Sequence, residues 1–227
     1  MVALPAAVLW DLDGTLVDTE PSWNAAQHRL VASYGGTWSE EHALQVVGSD
    51  LLDSAHYIKA VGGIPLEPEQ IVRRLVDEML SVMHAEITWR PGARELLAEV
   101  RAMHVPCALV TMSYRVLADA VVAALPAGTF ATTVTGDEVH HGKPHPEPYL
   151  TAARSLGVDP EHCVVIEDSV TGSTSGAAAG ATVLAIPNAV AVPAATRIVV
   201  RSTLVGMSPA DLGDLVGRAR GTVHDSH

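Results

Sequence analysis

The sequence predicts an α/β fold, a doubly wound parallel sheet interrupted early by an all-helical insertion. Three observations predict it. Short apolar segments alternate with stretches of helical periodicity, as in a parallel sheet covered on both faces. The first apolar segment ends in two aspartates one residue apart, Asp11 and Asp13, followed by Gly14 and Thr15. Residues 19 to 88 break the alternation and hold no convincing strand.

The elements follow in chain order. Ala6–Trp10 is an apolar run of the kind that forms a buried parallel strand. Pro21–Tyr34, Leu51–Val61 and Glu69–His84 then read as amphipathic helices, with Gly35-Gly36 and Gly62-Gly63 as stops and Pro68 where a helix begins. Trp89-Arg90-Pro91-Gly92 returns the chain to strand–helix alternation. Pro106–Thr111, Ala131–Thr135, Cys163–Glu167 and Ala181–Ile186 are the remaining predicted strands. Val116–Leu125 and Glu147–Leu156 are helices with apolar residues at three and four spacing. Gly172, Gly176 and Gly180 fall four apart and would line one helix face that comes close to the sheet. The tail after Arg220, GTVHDSH, is expected to fray.

Composition narrows the function. At 227 residues the chain can bury a core without staples. A net charge of −12 argues against a nucleic-acid partner, which needs a basic surface. The two cysteines, Cys107 and Cys163, each fall in a predicted buried strand, so no disulfide framework follows and a reducing, cytoplasmic setting is expected. The start MVALPAAVLW has no basic leader. Ser169 to Thr196 carries no charge and is long enough to span a bilayer, but three glycines and two prolines break it into a helix, a turn, a strand and a loop. No membrane span is therefore expected. A monomer or weak dimer is the expected state.

Asp11 and Asp13 sit at the carboxyl end of the first strand, where open α/β sheets bind ligands. Alternating side chains put both carboxylates on one side. Like charges that close call for a metal ion, a shared proton or a catalytic task. An Asx-type turn ending the strand is the alternative, and the rest of the chain decides against it. DLDGT followed by Leu16, Val17 and Asp18 resembles the first signature of the haloacid dehalogenase-like hydrolases. Three further signatures find matches in the same order: Thr111 in CALVTMSYR, Lys143 in HHGKPHPEPYL, and Glu167-Asp168 in CVVIEDSVTG. The spacing resembles the subfamily with a helical cap inserted after the first signature, close to β-phosphoglucomutases and phosphoglycolate phosphatases. The resemblance covers Ala6 to about Gly217. It implies a core of residues 1–18 and 89–227 and a cap of residues 19–88.

The resemblance implies a phosphatase acting on a small phosphorylated substrate through an aspartyl-phosphate. Asp11 would be the nucleophile. Asp13 would protonate the leaving oxygen, then deprotonate water. Gly14, Thr111, Ser113, Lys143 and Trp23 would contact substrate. Asp11, the Asp13 carbonyl, Glu167 and Asp168 would hold Mg2+, favoured over zinc by the hard oxygen donors. Only two of the fourteen basic residues are lysines, and one of them is Lys143. Asp168 has a second possible role as cap of the following helix. Met112 and Tyr114 depart from the small polar residues common after the threonine.

Other residues carry weaker signals. His140, His141 and His145 flank Lys143, as a metal cluster or as a solvated rim loop. Trp23, Asn24, Gln27 and His28 share one face of the first helix in the insertion. That face either looks onto substrate or forms the insertion's own core. Competing activities are a β-phosphoglucomutase-like mutase and a noncatalytic phosphometabolite-binding module. Such mutases carry a histidine and a Gly-x-Ser-Arg loop where this chain has Trp23 and Gly48-Ser49-Asp50-Leu51. Dehalogenases lack the second aspartate, and phosphonate cleavage would need a Schiff-base lysine, for which Lys59 is the candidate. A binding module would have lost a signature residue, and none is lost.

Overall fold

A computed structural model describes residues 4–224, with side chains to residue 218. Six parallel strands form one sheet in the order β3-β2-β1-β4-β5-β6. They are β1 (Ala7–Trp10), β2 (Cys107–Val110), β3 (Thr132–Val134), β4 (Cys163–Glu167), β5 (Thr182–Ala185) and β6 (Ile198–Val200). Every residue of β1, β2, β4 and β5 is buried, because helices cover both faces and leave no side to water.

Alternation along the strands sorts the core into two layers. Val8, Trp10, Leu109, Ile166 and Leu184 face one layer, filled by α5 (Ala93–Ala102), α6 (Arg115–Ala123) and α9 (Pro209–His224). Leu9, Val110, Val165 and Val183 face the other, where Tyr149 and Ala152 of α7 (Glu147–Leu156) pack. Gly176 of α8 (Val170–Ala178) lies on Val165 and Val183 of that second face.

The sheet runs outward from β1 in both directions. Val8 pairs with Cys107 of β2, and Ala7 pairs with Cys163 of β4. The two cysteine strands thus flank the Asp11 strand on opposite sides, and both thiols are free and buried. A strand-order reversal at β1 opens a crevice at the carboxyl ends, the usual ligand position in such sheets.

Between β1 and α5 the chain folds into α1 (Glu20–Ser33), α2 (Glu40–Leu44), α3 (Leu51–Gly62) and α4 (Pro68–Ala85). This is the helical cap. Pro68 opens α4 as predicted, and Ile71, Leu75 and Met79 line its buried face at helical spacing. The two chain crossings lie side by side: Asp18 N–H donates to the Thr88 carbonyl at 2.7 Å and Arg90 N–H to the Leu16 carbonyl at 3.1 Å. Among the described residues no helix is long and apolar enough to cross a membrane.

Two expectations need correction. Gly180 is not on the helix face with Gly172 and Gly176; α8 ends at Ala178, and Gly180 turns the chain with φ +91°. Only two of the three glycines can serve close packing. The backbone after Arg220 continues α9 to His224, where fraying is expected, and Asp225–His227 lie outside the described residues.

Candidate active site

Each signature residue arrives at the crevice from a different strand end or loop. Asp11 follows β1, Thr111 follows β2, Glu167 closes β4 and Asp168 comes next. Lys143 lies in the loop before α7, joined to Pro144 by a cis peptide bond. Gly14, at φ +80°, takes the left-handed turn after Asp13, and a Cβ there would collide with the Asp168 carboxylate.

Lys143 organises the buried charges. Its Nζ donates to Asp11 Oδ1 and Glu167 Oε1, both at 2.7 Å, and to the Val110 carbonyl at 3.0 Å. The ammonium also lies 5.0 Å from the Tyr149 ring centroid. Burial alone would lower its pKa, but the Asp11 and Glu167 carboxylates offset that and hold it well above the ordinary lysine value. Asp11 Oδ2 accepts from no described residue, and Asp11 lines the crevice.

Glu167 is saturated. Oε1 also accepts from Tyr149 Oη at 3.0 Å, while Oε2 accepts from the N–H groups of Asp168 and Ser169 and from Ser169 Oγ at 3.0–3.1 Å. Gly172 makes room for it: a Cβ there would collide with this carboxylate. Ser169, rather than Asp168, caps α8, its side chain accepting from Gly172 N–H at 2.9 Å.

Asp13 is held by four donors. Thr19 Oγ1 and Trp23 Nε1 reach Oδ1 at 2.7 and 3.0 Å; Ser113 Oγ and Thr111 Oγ1 reach Oδ2 at 2.7 and 3.3 Å. Two come from the start of the cap and two from the core, so the carboxylate sits at their junction. Thr111, Ser113 and Trp23, read from the sequence as substrate contacts, are engaged here with Asp13.

Asp11, Glu167 and Asp168 each present an oxygen within 4.8 Å of the others. Burial, then the Glu167 charge, pushes Asp11 up to about 7, and burial with the Glu167 and Asp11 charges raises Asp168 well above the usual carboxylate range. The cluster therefore holds more carboxylates than Lys143 balances. Hard oxygen donors short of positive charge fit Mg2+.

A cavity of about 560 Å3 lies between these groups and the cap. Trp23, Asn24 and Gln27 of α1 line it, so that face looks onto the cavity; His28, the fourth residue of the group, is exposed and does not. Gln27 Oε1 also accepts from Trp38 Nε1 at 3.2 Å. His141 and His145 cluster with Glu147 at an exposed rim, His141 Nδ1 lying 2.9 Å from Glu147 Oε2, while His140 contributes its backbone N–H to Glu147. Thr19, Tyr149 and Ser169 escaped the sequence reading. Ser169 was legible in principle, as a serine directly after an acidic pair and before a helix; Tyr149 and Thr19 reach the site only through tertiary packing.

Comparison with known proteins gives the family. Residues 5–180 match the family described as haloacid dehalogenase-like hydrolase. The chain is 33% identical over 187 residues to the bifunctional riboflavin kinase/FMN phosphatase of Arabidopsis thaliana, covering 82% of this chain but 49% of that protein. It thus spans about half the length of that relative. It is 33% identical over 175 residues to a phosphorylated carbohydrates phosphatase of Thermotoga maritima, covering 77% and 81%. Among solved structures, a point mutant of CbbY from Rhodobacter sphaeroides in complex with xylulose-(1,5)bisphosphate superposes with a TM-score of 0.79 at 25% identity, covering 92% of this chain and 99% of that one.

Proposed function

The chain belongs to the haloacid dehalogenase-like hydrolases, and we propose that it is a Mg2+-dependent phosphatase that hydrolyses a sugar or polyol phosphate through a phosphoaspartyl intermediate. The observation that carries this reading is the pose of Asp11. Lys143 fixes one of its oxygens at 2.7 Å, the other accepts no hydrogen bond from a described residue, and Asp11 lines the cavity.

In this reading Asp11 Oδ2 attacks phosphorus and the ester P–O bond breaks. The Asp13 carboxyl gives its proton to the leaving oxygen. Water then attacks the same phosphorus, Asp13 takes its proton, and inorganic phosphate leaves with Asp11 restored. The positive charge of Lys143 stabilises charge on the phosphoryl oxygens, and the Thr111 hydroxyl turns from Asp13 to donate to one of them. Asp11, Asp168 and the Asp13 carbonyl would hold Mg2+, with Glu167 beside them. The ion would offset the charge of the carboxylates and phosphate. Glu167, with both oxygens engaged, keeps Lys143 in place. Residues 19–88 would act as a cap domain over a core of 1–18 and 89–227, excluding bulk water during the reaction.

Phosphate release from a panel of phosphate monoesters tests the reading, with Mg2+ and with EDTA. Turnover is expected with Mg2+, loss on chelation, and recovery when Mg2+ is restored. Full activity in EDTA would overturn the metal-dependent mechanism.

A further inference from the structure

The cavity has charge on its floor and none of the opposite sign on its roof. Among the described residues, Lys143 is its single basic lining residue, and that ammonium is committed to Asp11 and Glu167. The cap's own cations point elsewhere. Arg29 pairs with Glu78, Lys59 with Glu67 at 3.0 Å, and the Arg74 guanidinium lies 5.8 Å from the Tyr34 ring centroid. Arg73 is exposed, and none of the four lines the cavity.

The cap wall is largely apolar, with Leu44, Val46, Val47, Leu51, Val72 and Leu75, and the polar groups set among them are neutral or acidic. Glu20, Asn24 and Gln27 present themselves from α1, Glu40 from α2 and Ser54 from α3. The side chains of Glu20 and Asn24 have no hydrogen-bond partner among the described residues. Trp38 fixes the Gln27 carbonyl end at 3.2 Å, which leaves the amide NH2 to donate. Burial together with the Asp13 and Asp18 charges pushes the Glu20 carboxyl up to about 7. Donors and acceptors of this kind match hydroxyl groups, each of which both donates and accepts.

We infer that the cap wall is a hydroxyl-recognising subsite, so that the substrate is a phosphate monoester of an uncharged polyhydroxyl compound and a second anionic group is rejected. The inference rests on the phosphatase reading. A second phosphate or a carboxylate would leave water to meet two carboxyl groups and no cation. This sets the chain apart from the CbbY structure, whose ligand is a bisphosphate.

Matched substrate pairs test it. Phosphate release with Mg2+ is measured for fructose 1-phosphate against fructose 1,6-bisphosphate, and for glycerol 3-phosphate against 3-phosphoglycerate. The uncharged member of each pair is expected to show about 10- to 100-fold higher kcat/KM, since like charges across the cavity oppose binding. A second arm uses Glu40→Lys, at an exposed position on the rim. It is expected to raise kcat/KM for the bisphosphate relative to the monophosphate by about tenfold. Equal or higher kcat/KM for the charged members, or an unmoved ratio in Glu40→Lys, overturns the subsite. Phosphate release from none of the esters overturns the phosphatase reading first, and the subsite with it.

Discussion

At the scale of the residue, Asp11 and Asp13 are separated by environment more than by chemistry. Asp11 is buried with one oxygen on Lys143 and the other without a donor among the described residues; Asp13 is wrapped by four donors at the cap–core junction. In the proposed mechanism Asp11 reacts and Asp13 shuttles a proton. The two roles predict different failures. Asp11→Asn is expected to abolish turnover, because the amide is a poor nucleophile and forms no acyl-phosphate. Asp13→Asn should slow turnover of an alkyl phosphate by about 10²–10⁴-fold. With p-nitrophenyl phosphate the leaving group needs little protonation, so Asp13→Asn should form the phosphoenzyme and then stall. Stopped-flow should show a nitrophenol burst equal to the enzyme concentration for Asp13→Asn and none for Asp11→Asn. A burst in both would remove Asp11 as nucleophile.

At the scale of the element, α8 links packing to chemistry through its two glycines. Gly176 lies against the Val165 and Val183 methyls, and an added Cβ would meet them at 3.0–3.1 Å, so the contact is with ordinary side chains. The helix gain from alanine, about 1 kcal/mol, opposes that crowding. Gly172 instead leaves room for the Glu167 carboxylate, which anchors Lys143. Gly176→Ala is therefore expected to shift Tm by no more than about 4 °C with kcat unchanged. Gly172→Ala should lower kcat at least about tenfold at temperatures where it remains folded, by displacing Glu167 from Lys143. Circular dichroism and phosphate release on both variants check this; wild-type kcat in Gly172→Ala would contradict the link. The α8 spacing also shows what the sequence disclosed. A four-residue glycine period announced close packing, yet it did not reveal that Gly180 falls in the following turn. The short apolar strands and the signature residues at their ends were legible because burial on both faces writes a continuous run. Missing from that reading were β6, three residues long and partly exposed at the sheet edge, α2, only five residues, and the helices α5 and α9. Trp23 was found as a cavity residue, but its bond to Asp13 depends on where the cap settles.

At the scale of the whole molecule, the proposed mechanism leaves it to the cap to decide what attacks phospho-Asp11. Hydrolysis and mutase chemistry share the first step and diverge at the second, where water or a sugar hydroxyl accepts the phosphoryl group. A mutase must hold a bisphosphate in two orientations, so its cap must bind the phosphate that is not reacting. That demands a cation or a cluster of donors on the roof. Here Gly48, in the loop where mutases carry their arginine, packs down on Ser169, and Asp50 spends its carboxylate capping α3 at 2.7 Å from Leu52 N–H. Trp23 stands in place of the mutase histidine and is bound to Asp13. The roof thus binds Asp13 through Thr19 and Trp23 and offers a distant phosphate no cation. Water is expected to win. Incubation with β-glucose 1-phosphate should release inorganic phosphate in step with ester consumed, with no stimulation by added glucose 1,6-bisphosphate. A coupled assay for glucose 6-phosphate run beside a phosphate assay separates the outcomes. Glucose 6-phosphate forming faster than phosphate would show that the cap holds a bisphosphate without a cation, and would make the chain a mutase.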